Sequence, residues 1–260
     1  MKTALITGAS SGIGLEFAKI FAREGYDLVI IATNAQKLGQ VAFDLHEEYN
    51  VKIKVITKDL SEKNSAKEIF DELEKEKIEI DVLINNAGFA LYGEFSQTNL
   101  EIETQMIETN ILALTQLTKF ALKNMLKKKE GKILNVASTA AFQPGPLMSV
   151  YYATKAYVLF FTEAIANELK GSGISVTALC PGPTETGFQK RSMQEESKLV
   201  KGKKLMSAKE VAEIGYDALM KGKIVVVPGL DNYLKSLGPR FLPRDFTAQY
   251  VRNLQEKKRN

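Results

Sequence analysis

The stretch Thr3-Ala4-Leu5-Ile6-Thr7-Gly8-Ala9-Ser10-Ser11-Gly12-Ile13-Gly14 decides the fold. Its first half is short, β-branched and almost continuously apolar, which predicts a strand covered on both faces. Its second half spaces glycines as Gly-x-x-x-Gly-x-Gly and runs into a helical pattern over 12–24. Glycines let the backbone turn sharply and approach a pyrophosphate, whose charge then rests on the helix N-terminus. Gly8, Ser10, Ser11, Gly12, Ile13 and Gly14 are therefore candidate dinucleotide contacts. No Lys follows the glycines, so the loop of nucleotide hydrolases is excluded.

Outward from this turn the pattern repeats. Strands are expected at 2–7, 27–32, 51–57, 80–85, 131–136, 174–180 and 223–227, and helices at 12–24, 35–49, 61–77, 98–128, 149–171 and 207–221. Seven strands alternating with helices predict one α/β domain over residues 1–227. Its form is a single doubly wound, Rossmann-like parallel sheet of seven strands with helices on both faces. The long polar stretch 187–206 interrupts the alternation and is expected to act as a substrate lid.

Composition narrows the chemistry. The 260 residues include one His, one Cys and no Trp. A zinc site draws three or four ligands mostly from His and Cys, so no metal site is expected. His46 falls on a polar helix face, and any acid–base chemistry must run without histidine. A single Cys excludes an internal disulfide and fits a reducing compartment. No signal peptide and no apolar run of bilayer length is visible, so a cytoplasmic protein without stable membrane insertion is expected. The net charge of +4 lies wholly in residues 228–260, which hold seven basic and three acidic side chains. The neutral remainder gives no reason to expect nucleic acid as a partner.

Further motifs follow in order. Asn85-Asn86-Ala87-Gly88 closes the fourth strand, and Asn110 lies in the next helix. Ser138 follows the fifth strand, Tyr151 and Lys155 form Tyr-x-x-x-Lys, and Pro181-Gly182-Pro183-Thr184-Glu185-Thr186 follows the sixth. This ordered set resembles the short-chain dehydrogenase/reductase family, and the match covers about residues 1–227. The resemblance implies hydride transfer between a nicotinamide dinucleotide and a carbonyl or secondary alcohol. It implies Asn110, Ser138, Tyr151 and Lys155 as catalytic residues, with Lys155 also on the nicotinamide ribose. Asn110 would hold a water in a proton relay with Lys155. It further implies cofactor contacts from Asp59, Leu60, Asn86, Ala87, Gly88, Pro181, Gly182, Thr184 and Thr186. A homodimer or homotetramer through the helices 98–128 and 149–171 is the assembly it implies.

The residues themselves fit that chemistry. Tyr151 and Lys155 stand at i and i+4 and share a helix face. A nearby ammonium stabilises phenolate and is expected to lower the Tyr151 pKa by about 1–3 units. Tyr151 then serves as general acid or base, and Ser138 hydrogen-bonds the substrate oxygen. Tyr152, about 100° further round the helix, falls to packing or the substrate wall.

The second strand ends at Thr33-Asn34 without the acid that binds ribose hydroxyls and repels a 2′-phosphate. Thr33, Asn34 and Lys37 are expected to hold that phosphate, which favours NADP over NAD. Phe89, Leu91, Tyr92, Phe142, Leu147, Met148 and Phe188 follow strand ends and predict an apolar substrate pocket. The tail 228–260 carries two apolar stripes, Leu230-Tyr233-Leu234-Leu237 and Phe246-Tyr250-Val251-Leu254. It is expected to pack on the core or a partner subunit. Two other functions compete with catalysis: a non-catalytic regulator that senses the dinucleotide, and a membrane-surface binding protein using the tail.

Overall fold

The computed structural model of the protein describes residues 2–188 and 205–256. The strands are β1 (Thr3–Thr7), β2 (Asp27–Ala32), β3 (Ile53–Thr57), β4 (Val82–Asn85), β5 (Gly131–Val136), β6 (Ile174–Leu179) and β9 (Val225–Val226). They pair in the order β3-β2-β1-β4-β5-β6-β9, with every ladder parallel. All seven expected strands are present in one sheet. The chain winds outward from β1 to β3 and then crosses to β4. The crevice beyond the C-terminal ends of β1 and β4 is the place where such sheets bind ligands.

Two apolar layers flank the sheet. On one side Phe17 and Phe21 of α1 (Gly12–Arg23) meet Leu38 of α2 (Ala35–Tyr49) and Val211 of α7 (Ala208–Met220). On the other, Ile69 and Leu73 of α3 (Ser65–Lys75) meet Leu117 and Met125 of α5 (Leu114–Lys128). Burying each such side chain stabilises the fold by about 1.5–3 kcal/mol. His46 is exposed on α2 and bonds to the Val51 carbonyl at 3.0 Å.

The helix expected at 98–128 carries a feature that periodicity does not reveal. It begins as α4 (Leu100–Ile107), widens into a π-turn at Glu108–Ala113 and continues as α5. Such an inserted residue commonly marks a functional position. Here it turns Asn110 into the interior, where it is buried.

Next come α6 (Ser149–Glu168) and the short strand β7 (Thr184–Glu185), which pairs in parallel with β8 (Met206–Ser207). The two strands bracket the expected lid, whose residues 189–204 lie outside the described part. The tail forms α8 (Leu230–Leu237), a 3-10 turn at Gly238–Arg240 and α9 (Arg244–Gln255).

Candidate active site

A cleft of about 330 Å³ opens at the C-terminal ends of the central strands. Its first wall is the turn after β1. Gly8 has φ +67°, and its N–H donates to the Ile31 carbonyl at 2.7 Å. A Cβ on Gly14 would lie 2.3 Å from the Gly8 carbonyl oxygen, so only glycine lets helix and turn approach this closely. Gly14 is therefore a packing residue, whereas Gly8, Ser10, Ser11, Gly12 and Ile13 line the cleft. Thr7 joins this wall to β4: its Oγ1 accepts from the N–H groups of Asn86 and Ala87 at 3.0 and 2.9 Å.

The N-terminus of α1 is the part of this wall that suits an anion. Ser11 makes no side-chain cap there, although Asn34, Asn99 and Ser207 cap α2, α4 and α7. The first backbone N–H groups of α1 thus stay available where the helix dipole is positive. Together with the glycine approach this donor set fits a pyrophosphate.

The far wall departs from expectation in part. Thr33, Asp59, Leu60, Asn86, Ala87 and Gly88 line the cleft, as do Pro181, Gly182, Thr184 and Thr186. Asn34 and Lys37 do not. The Asn34 carboxamide is spent on its own helix, its Oδ1 accepting from the Lys37 N–H at 2.9 Å. Lys58 supplies the basic side chain of this wall instead, and it pairs with Glu62 at 3.2 Å and Glu68 at 2.5 Å.

Ser138, Tyr151 and Lys155 meet at the floor. Ser138 sits in extended backbone after β5, and its Oγ accepts from the Ala140 N–H at 3.1 Å. Lys155 is buried, its Nζ donating to the Val136 carbonyl at 2.7 Å and lying 5.9 Å from the centre of the Tyr151 ring. Burial lowers the Lys155 pKa to about 8. Burial raises that of Tyr151, and the Ser138 hydroxyl pulls it only partly back. The expected lowering of Tyr151 by the ammonium is thus corrected: loss of water dominates both groups.

Asn110 does not line the cleft. Its Oδ1 accepts from the Phe89 N–H at 3.2 Å, and its Nδ2 donates to the Phe89 carbonyl and Thr154 Oγ1 at 3.0 and 3.1 Å. The π-turn therefore holds the backbone that follows Gly88. Deeper still, Asn85 Nδ2 donates to Thr118 Oγ1 and Asn135 Oδ1, and Asn135 Nδ2 donates to Thr162 Oγ1. This buried chain ties β4 and β5 to α5 and α6.

Of the expected pocket residues, Phe89, Met148 and Phe188 line the cleft. Leu91 is buried behind them, Tyr92 packs on the same cluster, and Phe142 packs into a separate cluster near Val158. Leu147, with φ +69°, does not line the cleft. Several lining residues were not among the expected ones, with Lys58, Ser61, Gln105, Thr109 and Thr139 the polar members. The tail was expected on the core or a partner subunit, and part of it packs on the core beside the cleft. Gln255 is fully buried and donates from Nε2 to Tyr152 Oη at 2.7 Å, while Tyr92 Oη donates to the Gln255 carbonyl at 3.0 Å. Val251 packs in the cluster that holds Tyr151 and Tyr152. No local signal in the sequence links residue 255 to residue 152.

The short chain dehydrogenase family model matches residues 2–197. A very-long-chain 3-oxoacyl-CoA reductase of Anas platyrhynchos is 35% identical over 195 residues, which is 73% of this chain. The chain spans only 62% of the length of that relative. A short-chain dehydrogenase from Sphingobium yanoikuyae, solved in complex with NADPH, superimposes with a TM-score of 0.81 at 34% identity. That match covers 88% of this chain and 89% of the other. The bulky-bulky ketone specific alcohol dehydrogenase of Comamonas testosteroni gives 0.78 at 31% identity, over 94% and 99% of the two chains. Motif order, sheet topology and relatives agree across most of the sequence, and the chain belongs to the short-chain dehydrogenase family.

Proposed function

We propose that the protein is an oxidoreductase that moves a hydride between NADP(H) and a carbonyl or secondary alcohol of an apolar substrate. One observation carries this reading: Ser138, Tyr151 and Lys155 share a cleft with the uncapped N-terminus of α1. The dinucleotide, when bound, supplies or accepts the hydride. The turn Gly8–Gly12 and the start of α1 hold its phosphates, and Lys155 takes the nicotinamide ribose. Tyr151 exchanges the proton at the substrate oxygen. Burial keeps that proton on the phenol at neutral pH, the form a general acid needs in the reducing direction. Ser138 Oγ donates to the same oxygen and steadies its developing charge. Asn110 positions Phe89 and Gly88 rather than touching substrate.

NADP is favoured by the absence of an acid at Thr33 and by Lys58 in the adjacent wall. The aromatic and thioether side chains Phe89, Phe188 and Met148 favour an apolar carbonyl compound over a sugar. The test is a panel of ketones and acyl thioesters followed by NADPH oxidation, with both dinucleotides titrated by fluorescence. Turnover of an apolar ketone and tighter NADPH than NADH binding are expected. Dinucleotide binding with no turnover across the panel would favour the regulator instead. Thr33→Asp, which adds like charge beside a 2′-phosphate, should shift preference toward NADH by about tenfold or more.

A further inference from the structure

We propose that the tail docks on an anionic lipid surface through α8, the Gly238–Arg240 turn and the outer face of α9. Both tail helices are amphipathic, yet on α8 the apolar stripe is not the face that packs, and on α9 only Val251 of the stripe is buried. On α8 the core side is polar: Ser236 is buried, and Asn232 lies against Gly182. Leu230 (74% exposed), Tyr233 and Leu234 face outward. Phe241 is 85% exposed, the highest value among the exposed large apolar side chains described. Leu242, Phe246 and Tyr250 continue the surface. Seven of the 17 exposed large apolar residues described thus fall within residues 230–250.

Charge selects the occupant. Arg240 and Arg244 bracket Phe241-Leu242, and neither makes an ion pair among the described residues. Over residues 230–250, Lys235, Arg240 and Arg244 outnumber Asp231 and Asp245 by one. A second copy meeting this face about a twofold axis would bring arginine toward arginine. An anionic bilayer attracts both arginines and accepts the phenylalanine and leucine between them, as interfacial helices do. Each basic side chain at such a surface strengthens binding about fivefold. Among the described residues no helix is long and apolar enough to cross a membrane, so the contact proposed is a surface one.

The inner face of α9 carries Val251 and Gln255 against the Tyr151–Tyr152 cluster. Docking would leave about one helix diameter, ~10 Å, between that cluster and lipid.

The chain has no Trp, so Phe241→Trp adds a single reporter at an exposed site. Its emission is read with phosphatidylcholine vesicles and with vesicles that also contain phosphatidylglycerol, alongside co-sedimentation. A blue shift and pelleting with the anionic vesicles alone, weakened by salt, are expected. Replacing Arg240 and Arg244 together by Gln should reduce partitioning about tenfold or more. Emission unchanged by anionic vesicles overturns the proposal. So does an indole already shielded without lipid that becomes exposed on dilution, because a second copy then covers this face. Neither readout uses turnover, so failure here leaves the catalytic reading untouched.

Discussion

Replacing Tyr151 by Phe removes one oxygen from a buried ring and leaves its packing on Tyr152 and Phe188 in place. Turnover of any accepted ketone should fall by about 10²–10⁴, the range for losing a general acid. The dissociation constant for NADPH should hardly move, and near-normal turnover would assign the proton to another group. Lys155 makes a prediction without substrate. Its pKa is 10.5 in the unfolded chain and about 8 in the fold, so between those values the unfolded chain binds more protons. Its contribution to stability therefore rises with pH through that window, by at most about 3 kcal/mol. Denaturation at a series of pH values should show this rise relative to Lys155→Met, and parallel curves would mean that Lys155 is not buried as a cation. At this scale the meeting of Tyr151 and Lys155 in one cleft is legible, because Tyr-x-x-x-Lys fixes their spacing on one helix. Asn34 caps its own helix, since a short polar side chain before a helix takes that bond readily. The direction of the Tyr151 shift depends on burial, which spacing does not report.

Among the elements, α9 reaches the site from the far end of the described chain. Its inner residues Val251 and Gln255 close the cluster that holds Tyr151 and Tyr152, and Arg252 reaches Glu94 at 2.6 Å. Gln255→Leu leaves the Tyr152 hydroxyl without its buried donor. The cost should be about 1–3 kcal/mol of stability, read from urea midpoints. KM for bulky ketones should change while NADPH affinity stays the same. Unchanged stability and KM would mean that α9 does not rest on Tyr152 in solution. The seven strands and main helices were legible because buried parallel strands are short apolar runs. The π-turn at Glu108–Ala113 was not, since one extra residue in a turn leaves the hydrophobic period almost intact. The outward turn of the α8 stripe was hidden for a different reason. Amphipathicity predicts that one face is buried but does not say against what.

The molecule as a whole has a second apolar face of different character. Along α6, Ala153, Tyr157, Phe160 (65% exposed) and Ala164 form an exposed, uncharged stripe. Leu112 and Ile107 are exposed on the neighbouring long helix. Lacking charge, this face can meet its own copy without repulsion, and we propose that it forms the homo-oligomer. Sedimentation should give a mass well above the 28.8 kDa of one chain, and Phe160→Glu should lower it to that value. A monomeric parent protein would refute the assignment. Sequence order also acquires a meaning in time. Chains are synthesised from the N-terminus at about 5–20 residues per second, and the parts made first can begin to fold first. The turn that suits the dinucleotide is made before the substrate side, whereas Gln255 must find a tyrosine 103 residues behind it and a second one 163 residues behind. A nascent chain can therefore offer a grip for the cofactor while the substrate side still lacks its outer wall, so cofactor supply during translation should favour productive folding.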